Sequence, residues 1–213
     1  MSKYQQRGAY HYADFKRPDS PYRLHVLDVL DKVAAFAKPG SRILDVGCGE
    51  GLILHKLREA GYNVVGCEID PIAVQLGLEK GNNIMEGTID DVIEAFDDSS
   101  FDVVMALDVL EHVDDLEDAV EQMKLIAPLV IIAVPDRHDP HGVRQLDGND
   151  VVGLFSLEGD RYDVLHSSTR HARHFIVLRA VEEVEDVTMT PGDMDATEDL
   201  DAIADADDEP NEI

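Results

Sequence analysis

Basic residues are scarce in this sequence: 18 Lys and Arg stand against 45 Asp and Glu, a formal net charge of −27 over 213 residues. Lysine occurs only seven times, and from Val181 to Ile213 there are 14 acids with no Lys or Arg at all. Non-specific nucleic-acid binding rests on cations that neutralise phosphates, so a surface this negative argues against a nucleic-acid partner. Cysteine is also rare. Cys48 and Cys67 give no metal-ligand spacing and no disulfide framework, and read as small buried thiols of a reducing compartment. No apolar run approaches the ~20 residues that a membrane span needs. Met1 to Phe15 is polar and aromatic, without the hydrophobic stretch of a signal peptide, so a cytoplasmic location is expected. Two readings of the charge stand side by side: a salt-adapted surface rich in Asp and poor in Lys, or an ordinary acidic protein with a disordered tail.

Against these absences stands one ordered pattern. From Arg42 onward, strand-like apolar runs alternate with helical ones. Strands are expected at Arg42 to Val46, Asn63 to Cys67, Asn83 to Glu86, Phe101 to Leu107 and Leu129 to Val134. Helices are expected at Gly51 to Ala60, from Pro71 to about Lys80, at Asp90 to Phe96 and at Asp114 to Ala127. Five strands alternating with helices imply a doubly wound parallel sheet with helices on both faces. Tyr22 to Ala37 reads as a preceding helix, Asp136 to Asn149 as a loop, and Val151 to Leu157 and His174 to Val181 as two last strands. The expected division is an N-terminal aromatic and His-rich segment at 1–41, a ligand-binding α/β domain at 42–184, and an acidic, disordered tail at 185–213.

Ligands of open parallel sheets bind beyond the carboxyl ends of the strands. The first strand runs Ile43-Leu44-Asp45-Val46 and ends in Gly47-Cys48-Gly49-Glu50-Gly51, three glycines at alternate positions. Such a turn suits close backbone approach and positive φ. The second strand ends Cys67-Glu68-Ile69-Asp70, which sets an acid 17 residues beyond Gly51 to accept from two ribose hydroxyls. The third leads to Gly87-Thr88-Ile89-Asp90, and the fourth to Leu107-Asp108-Val109-Leu110-Glu111-His112.

The string Ile43 to Gly51, with Phe101-Asp102-Val103-Val104 and Leu110-Glu111-His112 following in order, resembles the class I S-adenosylmethionine (SAM)-dependent methyltransferases. The resemblance covers about Arg42 to Pro135 and implies a seven-stranded-type sheet of mostly parallel strands. It implies SAM as cofactor, with Asp45, Gly47, Cys48 and Gly49 at the methionine end and Glu68 at the ribose. The family often carries an acid directly after the third-strand glycine; Thr88 stands there in this chain, so the adenine contact is expected from Asp90, two residues on, or from backbone groups near Ile89. Ile69 packs on adenine in this reading, and Asp108 contacts either the methionine amine or the acceptor. The segment before the first strand often covers the cofactor in the family, which nominates Tyr10, His11 and Tyr12 as pocket-lining.

A dinucleotide site is the competing reading of the glycine run. Its fingerprint is G-x-G-x-x-G, whereas Gly51 comes one residue early, and Leu110-Glu111-His112 has no part in it. Methyl transfer needs a base only where the acceptor must lose a proton, and His112 is the candidate, with Asp108 the second. His138, His141, His171 and His174 could join Glu111 and His112 in a metal site, as in metal-dependent RNA-end methyltransferases that use Glu-x-x-Glu-His. Here the first member of that string is Asp108, and no metal is expected. The expectation is a methyltransferase acting on a small-molecule acceptor; metal-assisted RNA methylation and non-catalytic SAM binding are the alternatives.

Overall fold

The computed structural model describes residues 3–137, 142–156 and 162–181. By internal contacts the chain divides at Val181, and the described residues fall in the first unit, Met1–Val181. The acidic tail, His138 and His141 therefore lie outside the described residues.

Seven strands form one sheet in the order β3-β2-β1-β4-β5-β7-β6. Strands β1 (Arg42–Val46), β2 (Asn63–Glu68), β3 (Ile84–Glu86), β4 (Val103–Leu107) and β5 (Leu129–Pro135) run parallel to one another. β6 (Tyr162–Arg170) and β7 (Arg173–Ala180) form an antiparallel hairpin, and β7 pairs antiparallel with β5. The sheet is mostly parallel, as the alternation of elements predicts.

Because successive side chains of a strand point to opposite faces, each apolar strand feeds two cores. Val130, Ile132 and Val134 of β5 join Leu44, Val104 and Ala106 in one core. Leu129, Ile131 and Ala133 join Ile43, Val103 and Met105 in the other. The first core is covered by α6 (Ile89–Ala95), α7 (Leu116–Ile126) and α8 (Gly148–Leu154). The second is covered by α3 (Pro21–Phe36), α4 (Leu52–Glu59) and α5 (Pro71–Glu79). A strand buried on both faces must read as a continuous apolar run, which is why β4 and β5 stand out in the sequence.

One expected element is corrected. Val151 to Leu157 is not a strand: its described part lies in α8 and the turn after it, and the sixth strand begins at Tyr162. Asp147 caps this helix by accepting from the backbone N–H of Asn149 and Asp150, and Asp150 returns the bond to the Asp147 N–H. That reciprocal cap outweighs the β-branched Val151-Val152 pair. The N-terminal segment is helical as well, with α1 (Lys3–Arg7) and α2 (Tyr10–Phe15). Among the described residues no helix is long and apolar enough to cross a membrane.

Candidate active site

The carboxyl ends of β1, β2 and β4 open into a cleft of two lobes, each about 540 Å³, that share Gly47, Glu68, Ile69, Asp108 and His112 as walls. The first lobe continues over Thr88, Ile89, Asp90 and Leu110. The second runs under the N-terminal segment, past Tyr4, Tyr10, His11, Tyr22 and His25, to Arg173 on β7. Every residue nominated from the sequence as catalytic or cofactor-binding lines one lobe or both: Asp45, Cys48 and Gly49 the second, Asp90 the first, and the rest both.

The glycine turn is built by left-handed backbone. Gly47, Gly49 and Gly51 have φ of 67°, 58° and 74°, a region that costs an L-residue ~1–2 kcal/mol. The Gly47 and Cys48 N–H groups donate to the Cys67 carbonyl at 2.9 and 3.1 Å, which ties the turn to β2. Glu68 does the same from its side chain: Oε2 accepts from the Gly49 N–H and Oε1 from the Asp70 N–H, both at 2.9 Å. Each oxygen keeps further acceptor capacity, and Glu68 lines both lobes. Asp70 in turn caps α5 by accepting from the Ile72 N–H, which aims Ile69 away from the core. Ile69 is consequently 70% exposed on the cleft wall.

Asp45 lies beneath the turn at 2% exposure and has no ion-pair partner among the described residues. Burial, with the Glu68 charge adding to it, pushes its carboxyl up to about 8. A buried carboxylate without a cation is costly, so the group holds its proton instead. The two thiols are unreactive by the same physics: burial pushes Cys48 well above its ordinary value and Cys67 up to about 12. The Cys48 side chain packs against Gly66, where any Cβ would overlap it.

On the first lobe, Thr88 is the N-cap of α6, and Asp91 completes a capping box by accepting from the Thr88 N–H at 2.7 Å. The position after Gly87 supports the helix, and Asp90, one residue into α6, faces the lobe.

At the junction of the lobes, Asp108 follows β4 with φ of 57° and bonds Arg173 with both oxygens, Nε donating at 2.9 and 2.8 Å and Nη2 lying 2.6 Å from Oδ2. His112 ends a 3-10 turn at Leu110–His112, with Nε2 3.8 Å from Glu111 Oε1. The loop after β5 rests on that turn: the Val143 N–H donates to the Glu111 carbonyl at 2.9 Å, and Arg144 Nη2 to the Asp114 carbonyl at 2.8 Å.

The N-terminal segment covers the turn through a buried network. Glu50, fully buried, accepts from the His11 N–H at 2.8 Å. Its Oε2 lies 3.1 Å from His11 Nδ1, close enough for charge pairing but off the line of a hydrogen bond. Asn82 Nδ2 donates to the Glu50 carbonyl and to Tyr12 Oη, at 2.9 and 3.0 Å. Of the three residues nominated from this segment, Tyr10 and His11 line the second lobe; Tyr12 sits below the turn instead, bonded to Asn82 and the Gly51 carbonyl. His11 stacks on Tyr22, ring centroids 4.5 Å apart.

Among the described residues no three metal-ligating side chains converge. His171 and His174, raised as ligands, are engaged elsewhere, by Asp28 at 2.5 Å and by Thr169 at 2.8 Å. Sequence reasoning missed Tyr22, His25, Glu50 and Arg173. Glu50 stands inside the glycine run, where its neighbours draw the attention; Tyr22, His25 and Arg173 sit in no motif, and only the fold of α3 and of the β6–β7 hairpin brings those three to the cleft.

A family model described as "Methyltransferase domain" matches residues 19–180. Over 95 residues the sequence is 41% identical to the ubiquinone biosynthesis O-methyltransferase of Hahella chejuensis, a match that covers 42% of this chain and 39% of that protein. Over 107 residues it is 37% identical to the mitochondrial ubiquinone biosynthesis O-methyltransferase of Mus musculus, covering 43% of this chain and 28% of that protein. The chain thus matches well under half the length of these curated relatives. The magnesium protoporphyrin IX methyltransferase of Synechocystis PCC 6803, solved with bound SAH, shares the fold at a TM-score of 0.63 and 16% identity, over 84% of this chain and 96% of that one.

Proposed function

The chain belongs to the methyltransferase domain family that matches residues 19–180, with a class I fold, and from that membership we propose that it transfers a methyl group from SAM to a small-molecule acceptor. One observation carries the proposal: the cleft pairs a wall isoleucine left 70% exposed with a buried, cation-free Asp45. An apolar side chain held into a cleft is the complement of an adenine face, and a buried carboxyl without a cation is a place that an arriving ammonium fills, ionising the acid as it pairs with it. A nucleoside joined to an amino acid has both. The residues present therefore fit SAM.

In this reading Glu68 takes the ribose hydroxyls on its free lone pairs, and Ile69 and Asp90 take adenine by its face and its amino edge. Gly47, Cys48 and Gly49 let backbone approach the methionine chain, and Asp45 and Asp108 face its ammonium. SAM supplies the methyl group as a sulfonium substituent, already electrophilic. The protein's part is then alignment of the acceptor with that methyl, which can provide most of the acceleration. Where the acceptor is a hydroxyl, His112 takes its proton. Oxygen as the accepting atom is supported by the O-methyltransferase names of the Hahella and mouse relatives.

A cytoplasmic location, the boundaries 1–41, 42–184 and 185–213, and a solvated acidic tail belong to the same proposal. Glu68→Ala tests the site by titration calorimetry with S-adenosylhomocysteine (SAH). Loss of one or two charge-assisted hydrogen bonds, ~1.5–3 kcal/mol each, should weaken binding by about tenfold or more. Affinity unchanged in a folded variant would remove the ribose assignment. Isotopically labelled SAM, incubated with the protein and native extract and followed by mass spectrometry, tests turnover. Product-free binding would favour the non-catalytic alternative.

A further inference from the structure

The second lobe is strongly acidic: Asp45, Glu68, Asp70 and Asp108 line it. The permanent cations among its described walls are Lys3, which is exposed, and Arg173. His25 adds no charge, since burial and the nearby Arg173 lower its pKa to about 4. Arg173 is thus the one fixed positive charge deep in the lobe, and its guanidinium is spent on Asp108 through Nε and Nη2. The pair is not sealed in the core: the side chains keep 20% and 27% of their exposure and face the cavity. Arg173 has a second anchor, Nη1 donating to the His171 carbonyl at 3.4 Å. Asp108 stands on left-handed backbone that most residues avoid.

Resting on the reading of the cleft as a SAM site, we propose that the acceptor carries a carboxylate or similar anion, that Arg173 binds it, and that Asp108 releases Arg173 only when the cofactor's ammonium takes its place. The chemistry follows from counting partners. The ammonium is held between Asp45 and Asp108, and each hydrogen bond it donates to the Asp108 carboxylate is one that the guanidinium gives up. The guanidinium, fixed by β7 and the His171 carbonyl, is then a planar donor in need of an anion. Tyr10, His11 and Tyr22 give the same lobe aromatic walls, suited to a flat acceptor ring. The arrangement imposes an order, cofactor first and acceptor second, and keeps anions from binding unproductively to the empty protein.

Titration calorimetry of the full chain tests this with matched probes: benzoate against benzamide, and hexanoate against hexanamide. With SAH saturating, at least one carboxylate should bind about tenfold or more tightly than its amide. That preference should vanish without SAH. Arg173→Gln should erase it while SAH affinity stays equal or rises, and Arg173→Lys, which keeps the charge but not the fork, should retain part of it. A purely structural Asp108–Arg173 pair would lower the melting temperature in Arg173→Gln but move no carboxylate-to-amide ratio. Equal binding of both probe types, binding of neither, or a preference that survives Arg173→Gln overturns the assignment. A preference already present without SAH overturns the handover. Failure of the wild type to bind SAH at all would instead sink the methyltransferase reading on which the inference rests.

Discussion

Asp45 should report cofactor binding by giving up a proton. In the free protein its carboxyl is pushed up to about 8, first by burial and second by the charge of Glu68. At about pH 7, one unit below that value, ~0.9 of the molecules carry the proton. A ligand that brings an ammonium to the second lobe favours the ionised form, so binding must expel what the free protein held. Titration calorimetry of SAH into the protein, in two buffers of very different ionisation enthalpy, measures this directly. The slope of observed enthalpy against buffer enthalpy should correspond to release of up to ~0.9 proton. Asp45→Asn, nearly isosteric and permanently neutral, should abolish the slope and weaken binding by about tenfold. Glu68→Gln removes the second cause of the raised pKa, so more of Asp45 is already ionised and fewer protons leave at the same pH. Tight wild-type binding with an enthalpy independent of buffer would refute the reasoning, because Asp45 would then keep one charge state throughout.

Three further outcomes follow from individual residues. The free protein's stability should carry two opposing pH slopes, read from urea midpoints. Asp45, raised from 3.8 to about 8, binds more protons folded than unfolded, so its contribution falls as pH rises through that window; His25, lowered from 6.5 to about 4, does the reverse, so its contribution falls as pH drops from 6.5 to about 4. Asp45→Asn should therefore flatten the decline above about pH 6.5 and His25→Phe the acid limb, and a wild-type profile in both variants would contradict the assignment. Ile69→Ala should leave stability within ~0.5 kcal/mol, because the side chain is mostly in water, yet weaken SAH binding roughly three- to tenfold. Loss of stability without loss of affinity would make Ile69 a structural residue. Gly49→Ala should cost ~1–3 kcal/mol by melting temperature, since its φ of 58° disfavours a Cβ and the new methyl would overlap Tyr4 Oη. Hydrogen exchange in residues 3–12 should accelerate with it; unchanged exchange would show that the segment does not rest on the turn.

Much of the site was readable because its parts sit at strand ends. Doubly buried strands announce themselves as apolar runs, and whatever follows each run is delivered to the same edge of the sheet. Asp45, Gly47, Gly49, Glu68, Ile69, Asp90, Asp108 and His112 all follow or end such runs, and all of them border the cleft. The segment Val151 to Leu157 is less legible. Val151 and Val152 are β-branched and favour extended backbone, but Asp147 and Asp150 close a capping box that starts α8, and a reciprocal cap does not stand out among so many acids.

What the sequence determined by itself was the doubly wound sheet and the edge at which a ligand binds, while the class of cofactor came from the resemblance of its motifs to a known family. Local pattern suffices for these, since strand period, glycine turns and helix caps act over a few residues. Tertiary structure alone decided the other wall of the cleft. It set His11 on the buried Glu50 39 residues away and Arg173 on Asp108 65 residues away. It also left Asp45 without a cation and His25 without a charge. Charge pairing and desolvation depend on where the chain returns in space, and no spacing along the sequence encodes that return.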